Sequence, residues 1–335
     1  MTAGNACHTA HRSVTITTLN AGKENVRLEL TLLGTGAGRP SKLRNVTSMA
    51  LRLPAPSSSV WLFDAGEGTQ HKLLDTPIKL NRIDRIFITH LHGDHVFGLP
   101  GLLSTRAYDG GVDPVTIYGP PGLQKMVETL FELSGSHIAY DIHYVETVEG
   151  LLFDDGQFRV EAAALEHRIP CFGYRIIEHD RPGRLDVSKL EDAQVPAGPL
   201  YGRLKAGNDI ELPDGRKVCA KDVMGPSIRG RVVTILGDTK SCEGAVKLAQ
   251  DADLLVHEAT FGAGLEEKAE AYGHSTTLQA AEIAKKAGAH KLVMTHFSSR
   301  YELADANRLA DEARTIFPAT DAASDGDVFA IPCRS

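Results

Sequence analysis

The 335-residue chain has few aromatic side chains, 6% of the total, and a single tryptophan, Trp61. Its core must therefore be mainly aliphatic, and with 42% hydrophobic residues there are enough of them to bury a sizeable one. No apolar run approaches the about 18–20 residues needed to cross a bilayer, so no membrane partner is expected. Cysteine is scarce: Cys7, Cys171, Cys219, Cys242 and Cys333 are odd in number and form no CxxC pair. That argues against a disulfide scaffold or a cysteine-built metal site and fits reduced thiols in the cytoplasm. Positive charge is not in excess either, the formal net charge being −7. The overall field does not draw nucleic acid to the surface, so an RNA partner would have to meet local positive charge or bound metal ions. The glycine-rich stretch Leu33–Gly38 is not followed by Gly-Lys-Ser/Thr, which removes a P-loop from consideration. Residues 1–26 hold few large apolar side chains and only one arginine, Arg12. They are expected to form a mobile N-terminal tail, without the apolar centre of a secretory signal.

From Arg27 onward, short apolar runs bounded by Gly, Pro or Asp predict strands. They fall at Arg27–Leu33, Thr47–Leu53, Val60–Phe63, Arg85–Thr89, Val115–Tyr118, Phe158–Leu165, Phe172–Ile177, Arg231–Leu236, Leu254–Val256 and Leu292–Thr295. Helical spacing predicts helices at Glu67–Leu74, Pro121–Leu133, Cys242–Gln250, Thr276–Ala287 and Ala304–Ile316. Strands and helices mixed through the whole length predict an α/β sandwich over residues 27–335. One region breaks the rhythm: from about Arg181 to Lys221 the chain is polar and rich in Pro and Gly. It reads as an insertion, an arm, and not as a second domain. No internal sequence repeat is evident.

The strongest chemical signal is Thr89-His90-Leu91-His92-Gly93-Asp94-His95. Four metal-capable side chains directly follow a buried-type strand, which gives them a rigid base. His90 and His92 alternate and can face one way, while Asp94 and His95 face a second position. That spacing suits two neighbouring cations better than one closed tetrahedral site. Further ligands stand where other strands end: His167 after Phe158–Leu165, Asp238 after Arg231–Leu236, and His296 after Leu292–Thr295. Asp238, a single carboxylate among imidazoles, is the natural bridge. Such a donor set suits two Zn²⁺ ions per chain and would also accept Mn²⁺ or another divalent ion.

HxHxDH with later His, Asp and His is the pattern of the metallo-β-lactamase superfamily, and other segments narrow the resemblance. Leu33–Gly38, Phe63–His71, His90–Gly101, His257-Glu258-Ala259-Thr260, Gly273-His274-Ser275-Thr276, and Thr295-His296 with Ser299-Arg300-Tyr301 resemble the short form of the ribonuclease Z (ribonuclease BN) family. The resemblance covers residues 28–331. It implies a metallo-β-lactamase αββα sandwich with a protruding flexible arm, and a homodimeric endoribonuclease that removes the 3′ trailer from precursor tRNA. It further implies His90, His92 and His167 on one metal, Asp94, His95 and His296 on the other, and Asp238 shared. Asp94 matches the family's proton acceptor. The insertion at about 181–221 resembles the family's tRNA-gripping arm, with Gly198 and Pro199 in its Gly-Pro tip and Arg203 and Lys205 as local positive charge. Pro40–Asn45, with Lys42 and Arg44, resembles a PxKxRN loop that accompanies cleavage after the discriminator nucleotide.

The chemistry assigns further roles. His274 is the candidate general acid for the departing 3′ oxygen, because the ordinary imidazole pKa of about 6.5 lies near working pH. Glu258 either orients His274 or makes a structural pair. Ser275, Thr276 and Arg300 are expected to hold phosphate oxygens, Asp64 to hydrogen-bond a ligand histidine, and His257 to be structural. The arm holds eight Lys/Arg against six Asp/Glu, a small positive excess, so shape must share in recognition. The alternatives are a metallo-hydrolase of the glyoxalase II or lactonase type and a non-enzymatic RNA-binding subunit. The first would not need the arm with the HEAT and HST segments. The second should have lost ligands that this chain keeps.

Overall fold

The structure, a computed structural model, describes residues 27–55 and 57–334; the expected tail at 1–26 lies outside them. Aliphatic runs form the strands as expected, and two seven-stranded sheets result. The first uses β1 (Leu28–Gly34), β2 (Ser48–Arg52), β3 (Val60–Phe63), β4 (Ile83–Phe87), β5 (Val115–Gly119) and β6 (Ile142–Glu146). The second uses β7 (Gly150–Asp154), β8 (Phe158–Leu165), β9 (Cys171–Glu178), β10 (Val232–Ile235), β11 (Leu254–Glu258), β12 (Leu292–Thr295) and β13 (Thr320–Ala322). The chain then returns as β14 (Val328–Ile331), which edges the first sheet antiparallel to β1.

The two sheets share one topology. Along β14-β1-β2-β3-β4-β5-β6 the first three pairings are antiparallel and the last three parallel. Along β7-β8-β9-β10-β11-β12-β13 the same order recurs. The duplication lies in backbone path alone, consistent with no sequence repeat being evident.

Packing follows from strand alternation. Inward side chains of both sheets, among them Leu30, Met49, Trp61, Phe87, Val160, Tyr174, Val233 and Val256, form one buried cluster. The outer face of the first sheet packs on Leu99, Leu102 and Leu103 of a helix at Leu99–Tyr108 and on Val127 of a helix at Leu123–Ser134. The outer face of the second packs on helices at Glu243–Leu248, Thr277–Lys286 and Ala306–Arg314. The layers are thus α/β/β/α, as expected. The few aromatics concentrate between the sheets, where Phe63, Phe87 and Tyr118 stack at 4.9 Å centroid spacing. Each fully buried large side chain contributes about 1.5–3 kcal/mol.

Several local expectations change. Pro121 precedes its helix, because Gly122 takes a left-handed conformation before Leu123. Strand β6 escaped the sequence reading because it is largely exposed and carries His143 and Glu146, and β7 because its apolar run, Leu151–Phe153, is only three residues long. The insertion between β9 and β10 is more ordered than its composition suggested. Leu190, Val195, Leu204, Ile210, Leu212, Val218, Ala220 and Val223 give it a small core of its own. Gly198-Pro199 opens a helix there, Pro199–Lys205, where proline suits the first turn. Its root is clamped by a buried pair: Arg231 donates to Glu178 from Nε at 2.6 Å and from Nη2 at 2.9 Å.

Candidate metal centre

Parallel strands place their carboxyl ends along one rim, and the ligand candidates follow those ends. His90 and His92 stand after β4, and His92 caps a single helical turn, Gly93–Val96, that carries Asp94 and His95. His167 follows β8, Asp238 follows β10 and His296 follows β12. Two non-glycine residues on this rim, Asp64 (φ 55°) and His296 (φ 58°), hold left-handed backbone. Such strain is retained where surrounding contacts over-determine it. Gly66 allows the rim to close: a Cβ there would lie 2.3 Å from the Asp94 carbonyl oxygen.

The seven candidates converge in two groups. In one, His92 Nδ1 lies 3.0 Å from His90 Nε2 and 3.2 Å from His167 Nε2. In the other, His296 Nε2 lies 3.3 Å from both His95 Nε2 and Asp94 Oδ2. One oxygen, Asp238 Oδ2, faces both groups, 3.6 Å from His90 Nε2, 3.4 Å from His95 Nε2 and 3.3 Å from His296 Nε2. Donors placed tetrahedrally about 2.0–2.1 Å from a zinc ion stand about 3.3–3.4 Å apart. The observed spacings match that edge.

The surrounding hydrogen bonds fix which imidazole nitrogens carry protons. Asp64 accepts from the Thr89 amide at 2.7 Å, the Thr89 hydroxyl at 2.9 Å and His95 Nδ1 at 2.8 Å. Because the Thr89 hydroxyl donates to Asp64, its oxygen accepts from His90 Nδ1, 3.0 Å away. The Thr260 hydroxyl donates to Glu258 at 2.8 Å and likewise accepts from His296 Nδ1 at 2.9 Å. His167 Nδ1 donates to the Gly273 carbonyl at 2.7 Å. Four Nε2 lone pairs thus point into a space shared with two carboxylates. Acceptors gathered this way repel one another unless a cation sits among them. The donor set fits divalent ions on chemistry as well as on spacing. Burial holds His90 well below the ordinary imidazole range and lowers His167 in the same direction. Both therefore favour the neutral form that a metal requires.

Glu258 does both things left open by the sequence. Its Oε1 accepts from His274 Nδ1 at 2.9 Å and from the Ser275 and Thr239 amides at 3.0 and 3.3 Å, and its Oε2 accepts from the Thr260 amide at 2.9 Å. It orients His274 and ties three loops together. Burial pushes His274 down, but Glu258 and Asp238 bring it up to about 9. His92, Asp94, Asp238, His274 and His296 line a cavity of about 260 Å³. Asp94 is further held by the Gly38 amide at 2.6 Å. His257 is fully buried with Nδ1 on the Glu258 carbonyl, outside the ligand groups.

Three expected substrate contacts, Arg44 of the PxKxRN loop and the phosphate-binding Ser275 and Thr276, are corrected. Arg44 is 4% exposed, and its Nη1 donates to the Ala323 carbonyl at 2.7 Å and to the Thr35 hydroxyl, so it braces its loop from inside. Ser275 is buried and its hydroxyl donates to the Thr239 carbonyl at 2.7 Å. Thr276 is buried as the N-cap of a helix, in a capping box with Gln279. Lys42, Arg300, Gly198, Pro199, Arg203 and Lys205 are exposed. Arg300 sits beside the cavity on Ser298, whereas Arg203 and Lys205 belong to the insertion. The sequence reading missed Thr260, Thr89 and the Gly273 carbonyl, which set the histidine tautomers. Thr260 lay in view within the HEAT segment, but a backbone carbonyl leaves no sequence signal.

Comparison with known proteins supplies relatives of this arrangement. Ribonuclease Z of Limosilactobacillus reuteri (strain DSM 20016) is 53% identical over 306 residues, covering 91% of this chain and 99% of the relative. The crystal structure of human tRNase Z, short form, superposes with a TM-score of 0.65 at 34% identity, covering 91% of this chain and 99% of that one. The metallo-β-lactamase fold protein YhfI of Bacillus subtilis superposes equally well, at 0.65, but at 19% identity, over 91% of this chain and 99% of that one; it speaks to the fold alone. A family model described as "Anti-Pycsar protein Apyc1" matches residues 28–141, well short of half the chain.

Proposed function

The chain belongs to the ribonuclease Z family of metallo-β-lactamase-fold hydrolases, and from that premise we infer an endoribonuclease that removes the 3′ trailer from precursor tRNA. The observation that carries the reading is the seven-residue cage with its tautomers already set, in a chain this similar to ribonuclease Z. We assign His90, His92 and His167 to one divalent ion, Asp94, His95 and His296 to the other, and Asp238 to both, with zinc as the ion and Mn²⁺ as an acceptable substitute. Such a pair of ions supplies Lewis-acid neutralisation of phosphate charge and lowers the pKa of water.

The protein groups do the rest. Asp94, held by the Gly38 amide, orients the attacking water and takes its proton. The oxygen of that water forms the new bond to phosphorus as the bond to the ribose 3′ oxygen breaks. His274 bonds Glu258 through Nδ1, which leaves Nε2 to deliver a proton to the departing oxygen. The products are a 3′-hydroxyl on the tRNA and a 5′-phosphate on the trailer, and no 2′-hydroxyl acts as nucleophile. Exposed Lys42 and Arg300 are proposed to meet phosphates near the cleavage point. The arm, through Gly198, Pro199, Arg203 and Lys205, is proposed to grip the tRNA at a distance. We further propose a cytoplasmic homodimer in which one subunit's arm serves its partner; among the described residues no helix is long and apolar enough to cross a membrane.

The test is cleavage of one precursor tRNA with and without a chelator, followed by mapping of both new ends. Chelator-sensitive cleavage just after the discriminator nucleotide is expected. Hydrolysis of a thioester or lactone with no cut in the precursor would support the glyoxalase II alternative instead.

A further inference from the structure

Beside the cage lies an aromatic surface that the chemistry above does not use. Tyr272 is the last residue of a helix at Glu266–Tyr272 and is 50% exposed. It lines the same cavity as Asp94 and His274. Behind it stands Phe261, 5% exposed, with ring centroids 6.4 Å from Tyr272 and 6.2 Å from His274. Two cations flank the pair. The Lys268 ammonium lies 5.8 Å from the Phe261 ring and 5.9 Å from the Tyr272 ring, and the Arg300 guanidinium lies 5.2 Å from Phe261.

A single exposed tyrosine is ordinary on any surface. This one is distinguished by how firmly it is placed. The next residue, Gly273, takes φ 76° as the helix C-cap, and its carbonyl holds His167 Nδ1 at 2.7 Å. One residue further, the His274 amide donates to the Ala269 carbonyl at 2.8 Å. A flat apolar ring is therefore held at the cavity mouth by the same backbone that orients a metal ligand and the proposed acid. Aromatic faces beside cations are how proteins seat an unpaired nucleotide, the ring taking the base and the cations its phosphates.

We propose that Tyr272, backed by Phe261, is a stacking platform for the base of the last nucleotide that the tRNA keeps, with Lys268 and Arg300 bracketing its phosphates. The choice of nucleotide follows from the chemistry and rests on the nuclease reading. His274 faces the departing 3′ oxygen, and that oxygen belongs to the ribose of the retained nucleotide. The base on that ribose is the one within reach of the rings next to His274. Stacking accepts any base, which suits an end that differs between tRNAs.

The test uses full-length protein loaded with zinc and precursor tRNAs that are intact, abasic at the last retained nucleotide, or abasic at the first trailer nucleotide. In the wild type, the first abasic change should lower kcat/KM about tenfold, within the range that one stacked base contributes, and the second should not. Y272A should lose about as much on the intact substrate and nothing further on the abasic one, whereas Y272F and Y272W should keep both the activity and the sensitivity to the base. Y272L fills similar space without a ring and should behave as Y272A, which separates stacking from support of the fold. If Y272A and wild type are equally sensitive to the missing base, or if Y272A cleaves the intact substrate at the wild-type rate, the platform is refuted. Failure of the wild type to cut the intact precursor would instead overturn the nuclease reading, and this inference with it.

Discussion

Replacing Thr260 by valine tests the tautomer argument at one atom. The side chain keeps its branching, and the backbone amide keeps its 2.9 Å bond to Glu258 Oε2. What is lost is the hydroxyl that accepts from His296 Nδ1 at 2.9 Å and donates to Glu258 at 2.8 Å. Glu258 retains its other donors. His296 does not, since among the described residues Thr260 is the partner that fixes its Nδ1 proton. The imidazole is then free to carry its proton on Nε2, facing Asp94 and His95, where the lone pair is needed. Removing such an outer partner typically weakens metal binding by about 10–100-fold, which is about 1.4–2.7 kcal/mol. The loss should be confined to the ion held by Asp94, His95 and His296. His90 and His167 take their tautomers from Thr89 and Gly273, which the change leaves alone. Zinc-loaded protein would be titrated with a chelator while bound zinc is counted by elemental mass spectrometry. One of two ions should leave at a 10–100-fold lower chelator activity than in the wild type, and the other should leave as before. If both ions leave together at the wild-type midpoint, hydrogen bonding through Thr260 does not set the His296 lone pair and the argument fails.

His274→Ala should keep both ions and lose most cleavage, by about 10²–10⁴-fold in kcat; elemental analysis showing only one ion would instead make His274 a ligand. Replacing residues 185–224 by a short Gly-Ser link exploits the 2.8 Å bond from the Gly225 amide to the Arg184 carbonyl, which holds the two ends side by side. That variant should bind precursor tRNA weakly while hydrolysing bis(p-nitrophenyl) phosphate at the full rate, and equal loss on both substrates would count against the arm's role. Glu178→Ala removes the carboxylate that accepts two hydrogen bonds from Arg231, in a pair that is 2–3% exposed. It should cost about 1.5–3 kcal/mol of stability in urea denaturation; an unchanged midpoint would show that the pair does not hold the root of the insertion.

What the sequence disclosed and what it hid divide along a physical line. Metal ligands are chemically distinctive residues at the ends of apolar strands. His90, His92, Asp94, His95, His167, Asp238 and His296 could therefore be nominated from residue type and position, and the backbone brings all seven together. Strands were legible where both faces are buried, as in Val60–Phe63, or where apolar and polar residues alternate, as in Phe158–Leu165, and illegible where little is buried on either face, as in Ile142–Glu146. Arg44, Ser275 and Thr276 failed for a different reason. Residue type says that a side chain can meet phosphate, but burial decides whether it does, and burial is a property of the assembled fold. Ser275 and Thr276 follow His274 so closely that proximity to the site was certain, yet the turn that aims His274 outward directs their hydroxyls to a carbonyl and a helix N-terminus. The same logic explains why Thr260, Thr89 and the Gly273 carbonyl stayed out of view. Their atoms are commonplace, and they matter only because each faces the rear nitrogen of a ligand histidine. In a cage of this kind the ligands announce themselves by type, while the groups that decide which nitrogen carries the proton are found only by tracing hydrogen bonds outward from the rings.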